Sequence, residues 1–268
     1  MPFVSLSLVN MITPPVQFPS VFKDGIDFAL SASVLAIGVI ACFFFFIEWL
    51  KHKHHKFLLY WSLGFLGIYW FQIPAILFHA GASFTLSDFN LFYSISFPLA
   101  FIGLVAIYKG IRSVGFLKPG WIKNYHLWIW MILSLAVFGT YVYLFGSAPD
   151  NYVIEFLVVF LFFLPVYFLN MYGLIQWKRD WKAVATKTIN AGIVLMFVGL
   201  LIGLSENFLA LRQILMYPPQ FWFLAVASSR VMYLLQSVGM VFMITGFFFT
   251  HHGFKRMKSE DVKSIAGV

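Results

Sequence analysis

The stretch that decides the fold is FWFLAVASSRVMYLLQSVGMVFMITGFFFT, residues Phe221 to Thr250. It is apolar almost throughout, and it is longer than the roughly 20 residues that an α-helix needs to cross about 30 Å of hydrocarbon. One arginine, Arg230, lies inside it. Because an ionised side chain within a membrane span is costly, it normally faces protein or water and has a partner. The stretch therefore predicts a membrane-spanning helix with a polar neighbour.

The composition places the whole chain in the same environment. Hydrophobic residues make up 61% of the 268 residues and charged residues only 10%, far from the balance of a soluble domain. Seven apolar runs are each long enough to span a bilayer as a helix. They cover 28–50, 57–80, 91–112, 126–146, 153–176, 188–211 and 221–249. The predicted fold class is an all-α membrane protein, a seven-transmembrane-helix bundle over 28–250, with an arm at 1–27 and a short basic tail at 251–268.

The basic residues predict the orientation of this bundle. Most of the 18 lysines and arginines fall in alternate connections and in the tail, at 51–56, 109–123, 178–187 and 255–263. The opposite connections carry mainly acidic residues. By the positive-inside rule, the N-terminus lies outside the cell and the C-terminus is cytoplasmic. We therefore expect a multi-pass protein of the cell membrane, plasma or inner.

Glu206 is the acidic residue that the sequence places at a depth similar to that of Arg230. Gly192, Gly199 and Gly203 share its helix face, and small residues let a second helix approach closely, so this face is predicted to face protein. Two interpretations stay open. Glu206 and Arg230 form a structural ion pair, or they belong to a site for a ligand or ion.

Other polar residues reach the same outer depth in their helices, and together they predict an outward-facing polar pocket between the second, third, sixth and seventh spans. The expected ligand-binding residues are Glu206, Arg230, Asn207, Ser229, Gln72, His79, Tyr93 and Ser96. Gln236 is assigned to the plainer inner half of the bundle.

Six of the seven histidines gather at the predicted cytoplasmic edge, near Glu48. They are His52, His54, His55, His126, His251 and His252. Histidine can bind metals and titrates near neutral pH, but mixed with lysine it is typical of a membrane-surface cluster. We expect a contact with anionic lipids here and no metal site.

Several function classes lack their motifs. A retinal Schiff base needs a lysine in the last helix, and this helix has none. The single cysteine, Cys42, excludes a disulfide framework, and no cofactor is predicted. HExxH and G-x-S-x-G are absent, so an enzyme is the less favoured interpretation. The separated basic clusters indicate membrane topology and no nucleic-acid partner.

The sequence favours a receptor-like or sensory bundle that binds a small ligand or ion and signals through a separate partner chain. In hydropathy and in Trp61-Ser62-Leu63-Gly64-Phe65 the chain resembles the membrane-embedded sensor halves of some bacterial signalling proteins, which implies a sensory role. A small-molecule transporter, an integral membrane enzyme and a structural subunit of a membrane complex remain the alternatives.

Overall fold

The computed structural model describes residues 25–70, 72–81, 86–114, 124–145, 152–180, 186–216 and 230–265, and within these ranges the chain forms helices and no strand. The helices are α1 (Gly25–Lys51), α2 (Lys56–Tyr69), α3 (Gln72–His79), α4 (Leu86–Val114), α5 (Asn124–Phe145), α6 (Tyr152–Asp180), α7 (Lys187–Met216) and α8 (Arg230–Ile265). The predicted arm lies almost wholly outside the described residues.

Three described helices are long and apolar enough to cross a membrane. They are Gly25–Lys51, Lys187–Leu209 within α7, and Arg230–Arg256 within α8. Shorter apolar helices cover 56–68 and 125–137. The all-helical class predicted from the sequence is therefore confirmed, together with three candidate membrane spans.

The second predicted span, 57–80, is not one helix. It is divided between α2 and α3, which end and begin on either side of residue 71. Pro74 explains the break, because it has no N–H to donate to the carbonyl of Trp70 four residues earlier. The N–H of Ile73 bonds that carbonyl instead, at 3.2 Å. The result is a short helix, α3, that carries Gln72 at its first residue and His79 at its last.

The last helix is longer than predicted at its C-terminal end. α8 contains 36 residues and continues to Ile265, so most of the segment predicted as a separate tail is helical. At 1.5 Å per residue it is about 54 Å long, well beyond the roughly 30 Å of a hydrocarbon core. The part of the predicted span before Arg230 lies outside the described residues.

Glycines bring α7 and α8 into close contact. A Cβ at Gly199 would lie 2.5 Å from the carbonyl oxygen of Gly239, and a Cβ at Gly246 would lie 2.5 Å from that of Gly192. No side chain fits at such distances, so only glycine permits this approach of the two backbones. The protein-facing glycine face predicted for this helix is confirmed.

Aromatic side chains fill the core between α1, α2 and α8. Phe45, Trp61 and Phe247 are fully buried there, and the rings of Trp61 and Phe247 lie 3.9 Å apart between centroids. Trp61 and Trp177, each near an end of a predicted span, are both buried against other helices.

Candidate functional site

Three polar side chains from three helices form a continuous hydrogen-bonded chain, which we call the amide cluster: Gln72 of α3, Gln236 of α8 and Glu206 of α7. Nε2 of Gln72 donates to Oε1 of Gln236 at 2.6 Å, and Nε2 of Gln236 donates to Oε1 of Glu206 at 2.8 Å. Gln72 is 1% exposed and Gln236 is 8% exposed. The cluster therefore joins α3 to the glycine-packed α7–α8 pair through buried polar contacts.

Arg230 contacts a different acid from the one expected. Its Nε donates to Oδ1 of Asp27 at 3.0 Å, which links the first turn of α8 to the first turn of α1. Arg230 precedes Gln236 by six residues, so it lies about 9 Å closer to the end of the helix. Glu206 lies at the depth of Gln236 and bonds it instead. The described contacts therefore replace the expected Glu206–Arg230 pair with two separate interactions.

Two more predicted residues are buried. His79 is 4% exposed, and its Nε2 shares a hydrogen bond of 3.2 Å with the hydroxyl of Tyr233 on α8. Ser96 of α4 is 2% exposed. Asn207 is half-buried and donates to the carbonyl of Gly203 at 2.7 Å. Of these three residues, His79 contacts α8 through a side-chain hydrogen bond.

Two predicted residues cannot be placed in the site. Ser229 lies outside the described residues, and Tyr93 belongs to α4 but its side chain lies outside the described part of the chain. Of the eight predicted residues, the structure joins Gln72 and Glu206 through Gln236.

Sequence reasoning missed Asp27 and Gln236 as members of this region. Gln236 was assigned to the inner half of the bundle, and its hydrogen bond to Glu206 shows that this depth was wrong. Its spacing was a usable signal, since Arg230, Tyr233 and Gln236 recur every third residue on one helix face. The sequence pattern places Asp27 in the predicted arm, because the apolar run begins at residue 28. Helix α1 begins at Gly25 and includes Asp27, which is 4% exposed.

A second charged group, the Glu48 cluster, lies at the opposite end of α1 and consists of Glu48, Lys51, His251 and Lys255. Nζ of Lys255 donates to Oε2 of Glu48 at 2.7 Å, and Nζ of Lys51 donates to Oε1 at 3.2 Å. Nε2 of His251 lies 3.4 Å from the same Oε2. Its carboxylate is therefore surrounded by cationic or potentially cationic groups. The contacts tie the end of α1 to α8.

The histidines near the Glu48 cluster make ring contacts with one another. The ring centroids of His54 and His55 lie 4.0 Å apart, and His52 lies close to both. Within the ranges that the structure describes, no three His, Cys, Asp or Glu residues are placed to hold a metal ion.

The amide cluster offers hydrogen-bond acceptors to a binding partner. Oε1 of Gln72 is buried and accepts no hydrogen bond from the described residues. Glu206 receives its hydrogen bond from the neutral amide of Gln236, and this amide does not compensate the charge of an ionised carboxylate. Both groups are acceptors, and together they suit a ligand that donates hydrogen bonds or carries positive charge.

Comparison with known proteins adds no relative: the chain matches no protein family, and no curated protein or solved structure is significantly similar to it.

Proposed function

We propose that this is a multi-pass cell-membrane protein of receptor-like or sensory type that binds a small cationic ligand or ion at the amide cluster. On this proposal the chain crosses the membrane seven times, with the N-terminus outside and the C-terminus in the cytoplasm, as the distribution of basic residues predicts. The observation that carries the proposal is the buried chain Gln72–Gln236–Glu206, in which Oε1 of Gln72 accepts no hydrogen bond from the described residues and the carboxylate of Glu206 is bonded by a neutral amide.

The two ends of α1 support a membrane-spanning arrangement. Asp27 and Glu48 each bond a basic residue of α8, and they are separated by 21 residues of the same helix, about 31 Å at the helical rise. That distance matches the hydrocarbon thickness of a bilayer, about 30 Å. The ion pairs therefore fit at the two membrane surfaces, with the apolar part of α1 between them.

Glu206 favours a cationic ligand over an anionic one. A carboxylate away from water is stabilised by an opposite charge, and the amide of Gln236 supplies none. An ammonium group would neutralise Glu206 and donate a hydrogen bond to Oε1 of Gln72, and a metal cation would be coordinated by the same oxygens. An organic anion would instead meet the negative charge of Glu206 and two amide oxygens.

Ligand binding would act on helix packing through Gln236. This residue bonds α3 through Gln72 and α7 through Glu206, so a ligand that competes for either bond changes how α3 packs on the α7–α8 pair. Because glycines hold α7 and α8 at backbone contact, the pair moves as one unit. The cytoplasmic end of that unit is tied to α1 by Lys255 and Glu48, where a partner chain would detect the shift.

The test is a thermal-shift screen of the purified protein with amines, amino acids, inorganic cations and organic anions. A ligand at 100 times its Kd stabilises the folded state by about 2.7 kcal/mol. We expect an amine or cation to raise the Tm of the wild type. The same ligand should not change the Tm of Glu206→Gln or of Gln236→Leu. Ser134→Ala is the matched control, because Ser134 is a buried polar residue of α5 that bonds the carbonyl of Trp130 in its own helix.

Two outcomes would contradict the proposal. One is stabilisation by anions alone. The other is a cation or amine that raises the Tm of Glu206→Gln and Gln236→Leu as much as that of the wild type and the Ser134→Ala control.

A further inference from the structure

A cavity of 440 Å³ lies between α2, α4 and α5, away from the amide cluster. Its walls are almost entirely apolar, and they include Leu66, Trp70, Ile102 and Trp128. Each of these four side chains is at least 40% exposed on the outside of the helices. The cavity is therefore an open groove that faces the surroundings of the bundle, which in a membrane are lipid.

The groove exists because α2 and α4 approach each other closely while α5 makes few contacts with either. A Cβ at Gly67 would lie 2.6 Å from the carbonyl oxygen of Leu99, so the two backbones touch at the floor of the groove. Both residues line it. The floor of the groove is thus set by the backbone contact of α2 and α4. Its depth is set by the distance of α5 from these two helices.

One end of the groove is charged. Lys109 lines it, is half-buried, and holds its Nζ 4.0 Å from the centroid of the Trp128 ring. Among the described residues no carboxylate pairs with Lys109, in contrast to Lys51 and Lys255, which both bond Glu48. A cation held over an aromatic ring at the mouth of an apolar groove attracts an anionic group attached to an apolar chain.

The length of the groove matches one leaflet. From Leu99 to Lys109 the wall contains ten helical steps, about 15 Å, which is half of the roughly 30 Å hydrocarbon core. On the topology proposed above, Lys109 lies at the cytoplasmic surface and the apolar walls extend from it toward the bilayer midplane. A phospholipid acyl chain in that leaflet extends in the same direction from its phosphate.

We infer that the α2–α4–α5 groove binds one anionic phospholipid of the cytoplasmic leaflet, with its phosphate at Lys109 and one acyl chain between α2, α4 and α5. This inference requires a membrane-spanning chain but no ligand at the amide cluster. Its success or failure is therefore separate from that of the amine and cation screen.

Native mass spectrometry of the purified full chain tests the inference, with phosphatidylglycerol and phosphatidylcholine of identical acyl chains as probes. We expect phosphatidylglycerol to bind the wild type more tightly than phosphatidylcholine. Lys109→Gln should weaken phosphatidylglycerol binding about tenfold, since a charge-assisted contact is lost, and Lys109→Arg should retain it. Ile102→Trp fills the groove and should weaken both lipids.

Two matched controls make the same kinds of substitution, Lys to Gln and an apolar residue to Trp, at exposed positions outside the groove. Lys178→Gln removes a lysine from the last turn of α6, and Leu201→Trp adds the same bulk to the outside of α7. Both should bind phosphatidylglycerol as the wild type does. Equal losses in Lys109→Gln and Lys178→Gln, or equal binding of the two lipids to the wild type, would overturn the inference. So would an isoprenoid quinone that displaces phosphatidylglycerol and binds Lys109→Gln undiminished.

Discussion

The amide cluster and the Glu48 cluster lie toward opposite ends of α8, and each contains one carboxylate. The two carboxylates differ in the charge of the groups that bond them. Glu48 is surrounded by Lys51, His251 and Lys255, so its charge is compensated by the protein. Glu206 receives its hydrogen bond from the neutral amide of Gln236. The carboxylate of Glu48 therefore has cationic partners within the protein. The amide cluster has a buried acceptor, Oε1 of Gln72, without a hydrogen-bond donor among the described residues.

The two clusters also differ in their exposure to solvent. The lysines that bond Glu48 have side chains 60% and 47% exposed, so water screens these ion pairs and each is worth little. Gln72 and Gln236 are buried, and a polar group buried without its partner is costly. The contacts of Glu48 fasten the end of α1 to α8, and the amide cluster is where we propose that a ligand binds.

The connection between the two clusters is the glycine contact of α7 and α8, and breaking it should have the largest effect. In Gly246→Ala the new Cβ would overlap the carbonyl oxygen of Gly192, 2.5 Å away. We expect the free energy of unfolding to fall by about 3 kcal/mol, as in overpacked cores. Unfolding in mixed detergent micelles, followed by tryptophan fluorescence, measures it.

The control for this prediction is Gly139→Ala in α5, where the added Cβ would meet no described atom within 4 Å beyond its own turn of the helix. Alanine favours a helix over glycine by about 1 kcal/mol, so the control should be as stable as the wild type or more so. Equal stability of the two variants would show that α7 and α8 do not need their glycine contact.

A smaller effect is expected from Gln236→Leu, which removes the central member of the amide cluster. Gln72 and Glu206 each lose a hydrogen-bond partner, and the free energy of unfolding should fall by about 2 kcal/mol. The double variant Gln72→Leu/Gln236→Leu should lose less than the sum of the two single variants, because both single changes break the same bond. Strictly additive losses would contradict the hydrogen-bonded chain.

The smallest effect should come from Glu48→Gln. Its lysine partners are largely exposed, so we expect a loss of about 1 kcal/mol that shrinks as salt is added. The effect of Gln236→Leu should stay constant over the same salt range, because its contacts are buried. A salt-independent Glu48→Gln effect larger than that of Gln236→Leu would reverse the roles given to the two clusters.

The sequence predicts the helical class, the apolar character and the glycine face of α7, because periodicity and composition report them directly. It selects Glu206 and Gln72 as polar residues inside apolar runs, and the structure joins them. It does not predict that Gln236 lies between them. The depth of a residue depends on where its helix starts, and hydropathy alone leaves that uncertain by several residues.

The same uncertainty explains the partner of Arg230. Starting the first span at 28 left Asp27 outside it, so Glu206 was the remaining acid at a suitable depth. The division of 57–80 into α2 and α3 was also missed, although Pro74 carries a local signal for it. The groove at Lys109 depends on the separation of α5 from α2 and α4. That distance is set by tertiary packing, and the spacing of residues within one helix does not contain it.

The central claim is that Ala80, directly after α3, and Lys53, shortly after α1, face opposite sides of a membrane. Labelling of single cysteines on intact cells with an impermeant maleimide tests it, in a Cys42→Ala background. Ala80→Cys, after α3, and Lys53→Cys, between α1 and α2, are both exposed positions. We predict that Ala80→Cys is labelled on intact cells and Lys53→Cys only after permeabilisation. Labelling of both from the same side would contradict the account.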